Sequence, residues 1–245
     1  MLRRAIVIGA SSGMGAALVR RLVHEGYRVA AIARRADVLR ELAAELNRDE
    51  QRVWTYAHDV ALTEQAPGLF REIVATLDGL DLVVYSSGVM PRVREDQFDT
   101  AIDREVIEVN VIGAMSWLNL AAERFQAQRG GMIVGIGSVA GDRGRRGNPA
   151  YCASKAALHT YLESLRNRLS RFGVHVLTVK PGPVSTPMTA GLGRMPLMID
   201  ANAAADQIFS AIARRSDTAY VPLPWALIMP VVRAIPSVIF RRMSL

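Results

Sequence analysis

Five short runs dominated by apolar residues punctuate the chain, at Ala5–Ile8, Val29–Ala33, Leu80–Val84, Met132–Ile136 and Val174–Val179. A strand covered on both faces has no polar side to show, so such runs predict the inner strands of a parallel sheet. Between them lie stretches with helical spacing. Ala17, Leu18, Arg21 and Leu22 mark one helix, and residues 151 to 167 predict another. Strands alternating with helices predict an α/β fold, a doubly wound parallel sheet of Rossmann type. The 245 residues fit one large domain, with no linker, solenoid repeat or low-complexity tract. Residues 1–220 are assigned to its body and 221–245 to an apolar C-terminal extension of the same domain.

The first run leads into Gly9-Ala10-Ser11-Ser12-Gly13-Met14-Gly15 and then a helix. Glycines let backbone amides approach a pyrophosphate, and a helix N-terminus directs partial positive charge at it. The spacing, Gly-x-x-x-Gly-x-Gly, departs from the more widespread Gly-x-Gly-x-x-Gly fingerprint. By itself such a turn can be only a tight connection.

Tyr151 and Lys155 are four residues apart, one helical turn on one face. A free phenol, with a pKa of about 10, is a poor proton donor at neutral pH. A neighbouring ammonium is therefore expected to lower the Tyr151 pKa. Ser138, at the end of the fourth of the five runs, is placed to hydrogen-bond a substrate carbonyl oxygen, and Asn110 to hold a water relaying protons to Lys155. Alone, Tyr-x-x-x-Lys also arises where a solvated Lys sits beside a half-buried Tyr.

Taken together, these motifs resemble the short-chain dehydrogenase/reductase family over nearly the whole chain. The resemblance implies that Asn110, Ser138, Tyr151 and Lys155 are catalytic and that Lys155 also holds the nicotinamide ribose. It implies dinucleotide contacts from Gly9, Ser11, Ser12, Gly13, Met14 and Gly15, from Asp59 and Val60 at the adenine, and from Asn110, Tyr151 and Lys155. Ser86-Ser87-Gly88 stands where the family commonly has Asn-Ala-Gly, a departure that keeps Gly88 and places Ser87 at the cofactor. In Lys180-Pro181-Gly182-Pro183-Val184-Ser185-Thr186, the resemblance assigns Pro181, Gly182, Val184 and Thr186 to the nicotinamide end. Residues 1–220 then form an NADP(H)-binding domain, and a homodimer or homotetramer is implied.

The choice of dinucleotide turns on the end of the second run. An acid there would bind a free ribose hydroxyl, but the segment reads Ala31-Ile32-Ala33-Arg34-Arg35. Two guanidiniums suit a 2′-phosphate, so NADP(H) is expected over NAD(H), with Asp37 the residue arguing the other way. Arg143, Arg145 and Arg146 lie between Ser138 and Tyr151 and border the substrate mouth, to bind a substrate phosphate or carboxylate or merely to keep a loop soluble. The pocket is expected around Met90–Arg94 and Met188–Met198.

Composition narrows the setting. The net charge is +7, yet the basic residues are spread without aromatic platforms, so no nucleic-acid partner is expected. The single cysteine, Cys152, is read as a packing residue, and the four histidines show no metal-ligand spacing, so no metal is expected. Met1-Leu2-Arg3-Arg4 runs straight into the first run, so no cleavable signal is expected and the cytoplasm is the assigned compartment.

The C-terminal stretch is apolar and broken by prolines. Trp225, Ile228, Met229, Val232, Ile235 and Ile239 recur at helical spacing beside Arg233, Arg241 and Arg242. This stripe is read either as packing on the core or a partner subunit, or as a peripheral contact with the inner membrane face. From Gly141 onward the chain also resembles bacterial reductases of decaprenylphosphoryl 2-keto-pentose, in Asp142–Arg146, Pro196–Asp200 and Ile235–Arg241. That likeness implies a lipid-linked carbonyl substrate. The alternatives are a soluble 3-oxoacyl or small-ketone reductase and a non-catalytic NADP(H)-binding sensor.

Overall fold

Alternate residues of the first strand feed two separate cores, which is what a run apolar at every position predicts. Ala5 and Val7 join one buried cluster, while Ile6 and Ile8 join another on the opposite face. The computed structural model describes residues 3–191, 193 and 195–243. In chain order the elements are β1 (Arg3–Ile8), α1 (Gly13–His24), β2 (Tyr27–Ala33), α2 (Ala36–Leu46), β3 (Val53–Ala57), α3 (Ala66–Leu77), β4 (Leu82–Tyr85), α4 (Thr100–Ile107), α5 (Gly113–Gln128) and β5 (Gly131–Ile136). They continue through α6 (Pro149–Leu169), β6 (Val174–Pro181), β7 (Val184–Ser185), β8 (Ile199–Asp200), α7 (Ala201–Ala213), β9 (Thr218–Val221), α8 (Trp225–Ala234) and α9 (Ser237–Phe240).

Seven parallel strands form one sheet in the order β3-β2-β1-β4-β5-β6-β9, and β7 pairs with β8 apart from it. Helices α1, α2 and α7 supply Leu18, Leu22, Leu39, Ile208 and Phe209 to the first core. Helices α3, α5 and α6 supply Ile73, Trp117, Phe125, Leu162 and Leu165 to the second. The strand order reverses between β1 and β4, and in doubly wound sheets the crevice beyond the strands' carboxyl ends at that point receives ligands. The doubly wound sheet expected from the apolar runs is the one observed. The limit drawn at residue 220 falls inside β9, whose Val221 pairs with Pro181, so the extension leaves the sheet at Pro222. Leu192 and Arg194 of the expected pocket stretch, and Met1 and Leu2, lie outside the described residues.

Helix α6 carries Tyr151 and Lys155, so its start sets their place. Asn148, with φ 67°, caps it by accepting the Tyr151 N–H at 3.3 Å, and Pro149 occupies the first turn, where no N–H is needed. The other end of the Asn148 amide donates to the Pro91 carbonyl at 2.6 Å, tying the cap to the loop after β4.

Behind the ends of β5, β6 and β9 lies a buried polar network that joins these strands to α6. Asp142 accepts from Lys180 Nζ at 2.6 Å and from the Tyr220 hydroxyl at 2.6 Å, and His159 Nδ1 lies 3.6 Å away. His159 Nε2 accepts the Ser138 backbone N–H at 3.3 Å, so the ring is held against the residue that follows β5. Burial and the nearby Lys180 push the His159 pKa down to about 3, keeping the ring neutral and able to accept. A neutral folded-state histidine adds stability that is fully present above its unfolded pKa of about 6.5 and is lost as pH falls towards the folded value. Urea unfolding followed against pH should therefore show a steeper loss between about pH 6.5 and pH 3 in the wild type than in His159→Gln. Parallel pH dependences in the two proteins would contradict a neutral, buried His159.

Candidate active site

The cleft at the switch point begins with backbone that only glycine permits. Gly9 has φ 90°, and a Cβ there would lie 2.5 Å from the Ser87 nitrogen, so β1 and β4 can approach only without a side chain. At Gly15 a Cβ would collide with the Gly9 carbonyl oxygen, which keeps the first turn of α1 tight against β1. Helix α1 has no acidic residue in its first turn and no side-chain cap on its leading amides. Its free N–H groups thus face the cleft with their dipole uncompensated.

Gly9, Ser11, Ser12, Gly13, Met14, Gly15, Arg34, Arg35, Asp59, Val60, Ser87, Gly88 and Thr186, all assigned to the dinucleotide from the sequence, line this cleft. Arg35 donates to Ser11 Oγ at 2.9 Å and to Ser12 Oγ at 2.7 Å, placing its charge over the glycine turn. Arg34 is directed elsewhere, towards Asp59 at 3.8 Å, a long and exposed pairing. The donor set of leading amides, two hydroxyls and a guanidinium, around a cradle that a Cβ would fill, fits a dinucleotide phosphate. Asn110, Tyr151, Lys155, Pro181, Gly182 and Val184 are not among the residues lining it: the first three are buried, Asn110 and Lys155 against Gly88, Val184 is buried in the first core, and a Cβ on Gly182 would meet the Trp225 indole. Ala33, His58, Val89, Val109 and Pro187 do line it without having been singled out, and Met188 lines it from the stretch expected around the substrate pocket. The carboxyl-end rule for doubly wound sheets would have found Ala33 and His58, which sit at the ends of β2 and β3.

Asn110 sits in a π-helical turn, Glu108–Ile112, between α4 and α5, and is fully buried. Its amide is spent on structure: Oδ1 accepts the Val89 N–H at 2.8 Å, while Nδ2 donates to the Val89 carbonyl and to Ser154 Oγ, both at 3.0 Å. The side-chain amide is therefore a clamp joining the loop after β4 to α6. A Cβ on Gly88 would lie 3.2 Å from Asn110 Oδ1 and 3.4 Å from Lys155 Nζ, so the clamp and the ammonium flank the same glycine.

Lys155 Nζ is buried, donates to the Ile136 carbonyl at 3.0 Å and lies 5.7 Å from the centre of the Tyr151 ring. Burial pushes its pKa down to about 8. For Tyr151 the expected lowering is reversed, because loss of solvent around the phenol raises its pKa, with the Ser138 hydroxyl and the Arg145 charge opposing. Ser138 follows β5, and its Oγ also accepts the Ala140 N–H at 3.1 Å. Cys152, next to Tyr151, is buried in a small apolar cluster with Ala140 and Met90, in keeping with packing.

The three arginines of the loop after Ser138 divide. Arg143 donates to the carbonyls of Val232 and Arg233 at the end of α8 and stacks 3.9 Å from the Phe240 ring centre. Arg146 donates to the Arg241 carbonyl at 2.7 Å. These two guanidiniums, expected at a substrate anion, are engaged by the C-terminal extension, whose helix ends present unpaired carbonyls. Arg145 is the one whose charge reaches Tyr151. Among the described residues no group of three or more His, Cys, Asp or Glu side chains is arranged to hold a metal.

Residues 3–196 match the short chain dehydrogenase family model. An uncharacterized oxidoreductase of Myxococcus xanthus is 34% identical over 241 residues, covering 97% of this chain and 94% of its own. A short chain dehydrogenase from Burkholderia cenocepacia, solved in complex with NADP, superposes with a TM-score of 0.83 at 24% identity, over 98% of this chain and 97% of its own. An actinorhodin polyketide ketoreductase variant solved with NADPH gives a TM-score of 0.81 at 24% identity, over 89% of this chain and 94% of its own. With the glycine cradle, the switch-point cleft and the sequence match in agreement, this chain belongs to the short-chain dehydrogenase family.

Proposed function

We propose that this protein is an NADP(H)-dependent reductase that converts a substrate carbonyl to an alcohol, and the reverse. The observation that carries the reading is Tyr151 and Lys155 buried one helical turn apart, with Ser138 bearing on the phenol and Lys155 Nζ next to Gly88, which lines a cleft built for a dinucleotide. Two neighbours of the same fold are described as complexes with NADP or NADPH, which agrees with Arg35 lying over the glycine turn.

When bound, NADPH supplies the hydride to the carbonyl carbon. The leading amides of α1, Ser11, Ser12 and Arg35 would hold its phosphates, and Lys155 its ribose. Tyr151 gives its hydroxyl proton to the carbonyl oxygen as negative charge develops there, and Ser138 Oγ donates a hydrogen bond to the same oxygen. A phenol whose pKa is raised by burial stays protonated at neutral pH, which is the form reduction needs. Lys155 keeps a positive charge beside it, so the phenolate left behind is stabilised where it forms. Asn110 keeps α6 and the Gly88 segment in register, so that these groups converge.

The substrate is inferred to be an acidic, lipid-carried keto sugar, with Arg145 meeting its phosphate. This reading draws on the resemblance read from the sequence at Asp142–Arg146, Pro196–Asp200 and Ile235–Arg241 and on the Arg145 charge bearing on Tyr151. A polyketide-type 3-oxoacyl substrate is the second reading, favoured by the likeness to a ketoreductase.

Tyr151→Phe should leave NADPH affinity intact while lowering turnover by about 10²- to 10⁴-fold, measured by fluorescence titration and NADPH oxidation. Unchanged turnover would reject Tyr151 as the acid. Lys155 is protonated below its depressed pKa, so kcat/KM for reduction should be level below about pH 8 and decline above it. A profile flat through that range would count against a required ammonium. Arg35→Ala should shift the NADPH-to-NADH affinity ratio towards NADH by roughly 10- to 100-fold, the range for a hydrogen bond to a charged group. An unaltered ratio would place the 2′-phosphate elsewhere.

A further inference from the structure

The C-terminal extension exposes a row of large apolar side chains that the rest of the fold leaves uncovered. Leu223, Leu227 and Val231 follow one another at intervals of four, and they are 72%, 80% and 65% exposed. Val238 and Ile239 on α9 add to this surface at 55% each. The stripe that the spacing alone singled out is not this one. Met229 is fully buried, Trp225, Ile228, Val232 and Ile235 are partly covered, and of that stripe only Ile239 is exposed.

Helix α8 is not free to roll this outer row inward. Its inner side is held by Met229, by Trp225 against Gly182, and by Arg143, which donates to the carbonyls of Val232 and Arg233. Arg146 holds α9 in the same way through the Arg241 carbonyl. The α8 row and the exposed α9 residues are thus each fixed outward, and exposed apolar side chains of this kind mark a docking surface.

Charge decides what it meets. From Thr218 to the last residue the sequence contains no Asp or Glu, and Arg233, Arg241 and Arg242, close in sequence to the apolar residues, are exposed. A two-fold contact between copies sets the same patch against itself, and this stretch brings no acid of its own to meet its arginines. Anionic headgroups would neutralise them while the apolar row enters the acyl boundary. Among the described residues no helix is long and apolar enough to cross a membrane, so the helices would lie in the interface. We propose that the outer face of α8 and α9 docks this protein onto an anionic lipid surface. Because Arg143 holds α8 and shares a loop with Ser138, docking would place that loop next to the bilayer.

The test needs no turnover, so its outcome is independent of the proposed reaction. The full chain is sedimented with phosphatidylcholine vesicles and with phosphatidylcholine–phosphatidylglycerol vesicles, at low and high salt. The wild type should co-sediment with the anionic vesicles, weakly with the neutral ones, and less as salt rises. Leu227→Ser/Val231→Ser and, separately, Arg241→Gln/Arg242→Gln should each lower the bound fraction about ten-fold. Melting temperature and sedimentation velocity without lipid should stay unchanged. A wild type that stays in the supernatant overturns the proposal, as does equal binding to both vesicle types or wild-type binding by both variants. A serine variant that dissociates an oligomer and binds vesicles normally assigns the face to a second copy instead.

Discussion

An ammonium held out of water at the head of α6 is the constraint on which the site depends. Burying a charge costs several kcal/mol unless it is met by acceptors, and Lys155 finds one in the Ile136 carbonyl at the end of β5. An ammonium has three donors, and around this one lie Gly88, whose built Cβ would come 3.4 Å from Nζ, and the Tyr151 ring, whose centre is 5.7 Å away. Such a group favours whatever brings hydroxyls or negative charge beside it. The fold secures this position twice over, by the Asn148 cap that starts α6 and by the Asn110 clamp that ties α6 to the loop after β4.

The same economy appears around Asp142. One buried carboxylate takes Lys180 and Tyr220 and stands beside His159, joining β6, β9 and α6 behind Ser138. None of these side chains reaches the cleft lining, yet His159 accepts the backbone N–H of Ser138 and so bears on where that hydroxyl points. On the other side of the loop, Arg143 and Arg146 bind α8 and α9 through carbonyls. The short segment between β5 and α6 therefore connects the chemistry, the sheet edge and the C-terminal extension.

Much of this architecture is written locally. Apolar runs mark strands because a sheet covered on both faces needs them, and the glycine turn marks the cleft because no other residue allows β1 and β4 so close. Helix α6, expected over residues 151 to 167, extends to Pro149 and Leu169, since its cap lies in Asn148-Pro149 just ahead of the motif. What is not legible depends on partners far apart in sequence. The Tyr151 pKa moves opposite to expectation because burial outweighs the neighbouring charge. Arg143 and Arg146 look available in the sequence and are committed in the fold, because the carbonyls they meet belong to residues near the end of the chain. His159 shows no metal-ligand spacing and yet has a structural task. The outward row of α8 is missed because two apolar stripes share that helix, and only the packing of Met229 and Trp225 decides which turns in.

The most direct test of the central claim follows the hydride itself. Wild-type protein is incubated with NADPH carrying deuterium at nicotinamide C4 and a panel of small ketones, 3-oxoacyl thioesters and prenyl-phosphate keto sugars, and the products are read by mass spectrometry. The account predicts an alcohol with one deuterium on the former carbonyl carbon for at least one class. Binding of NADPH with no deuterium transferred to any member of the panel would contradict it.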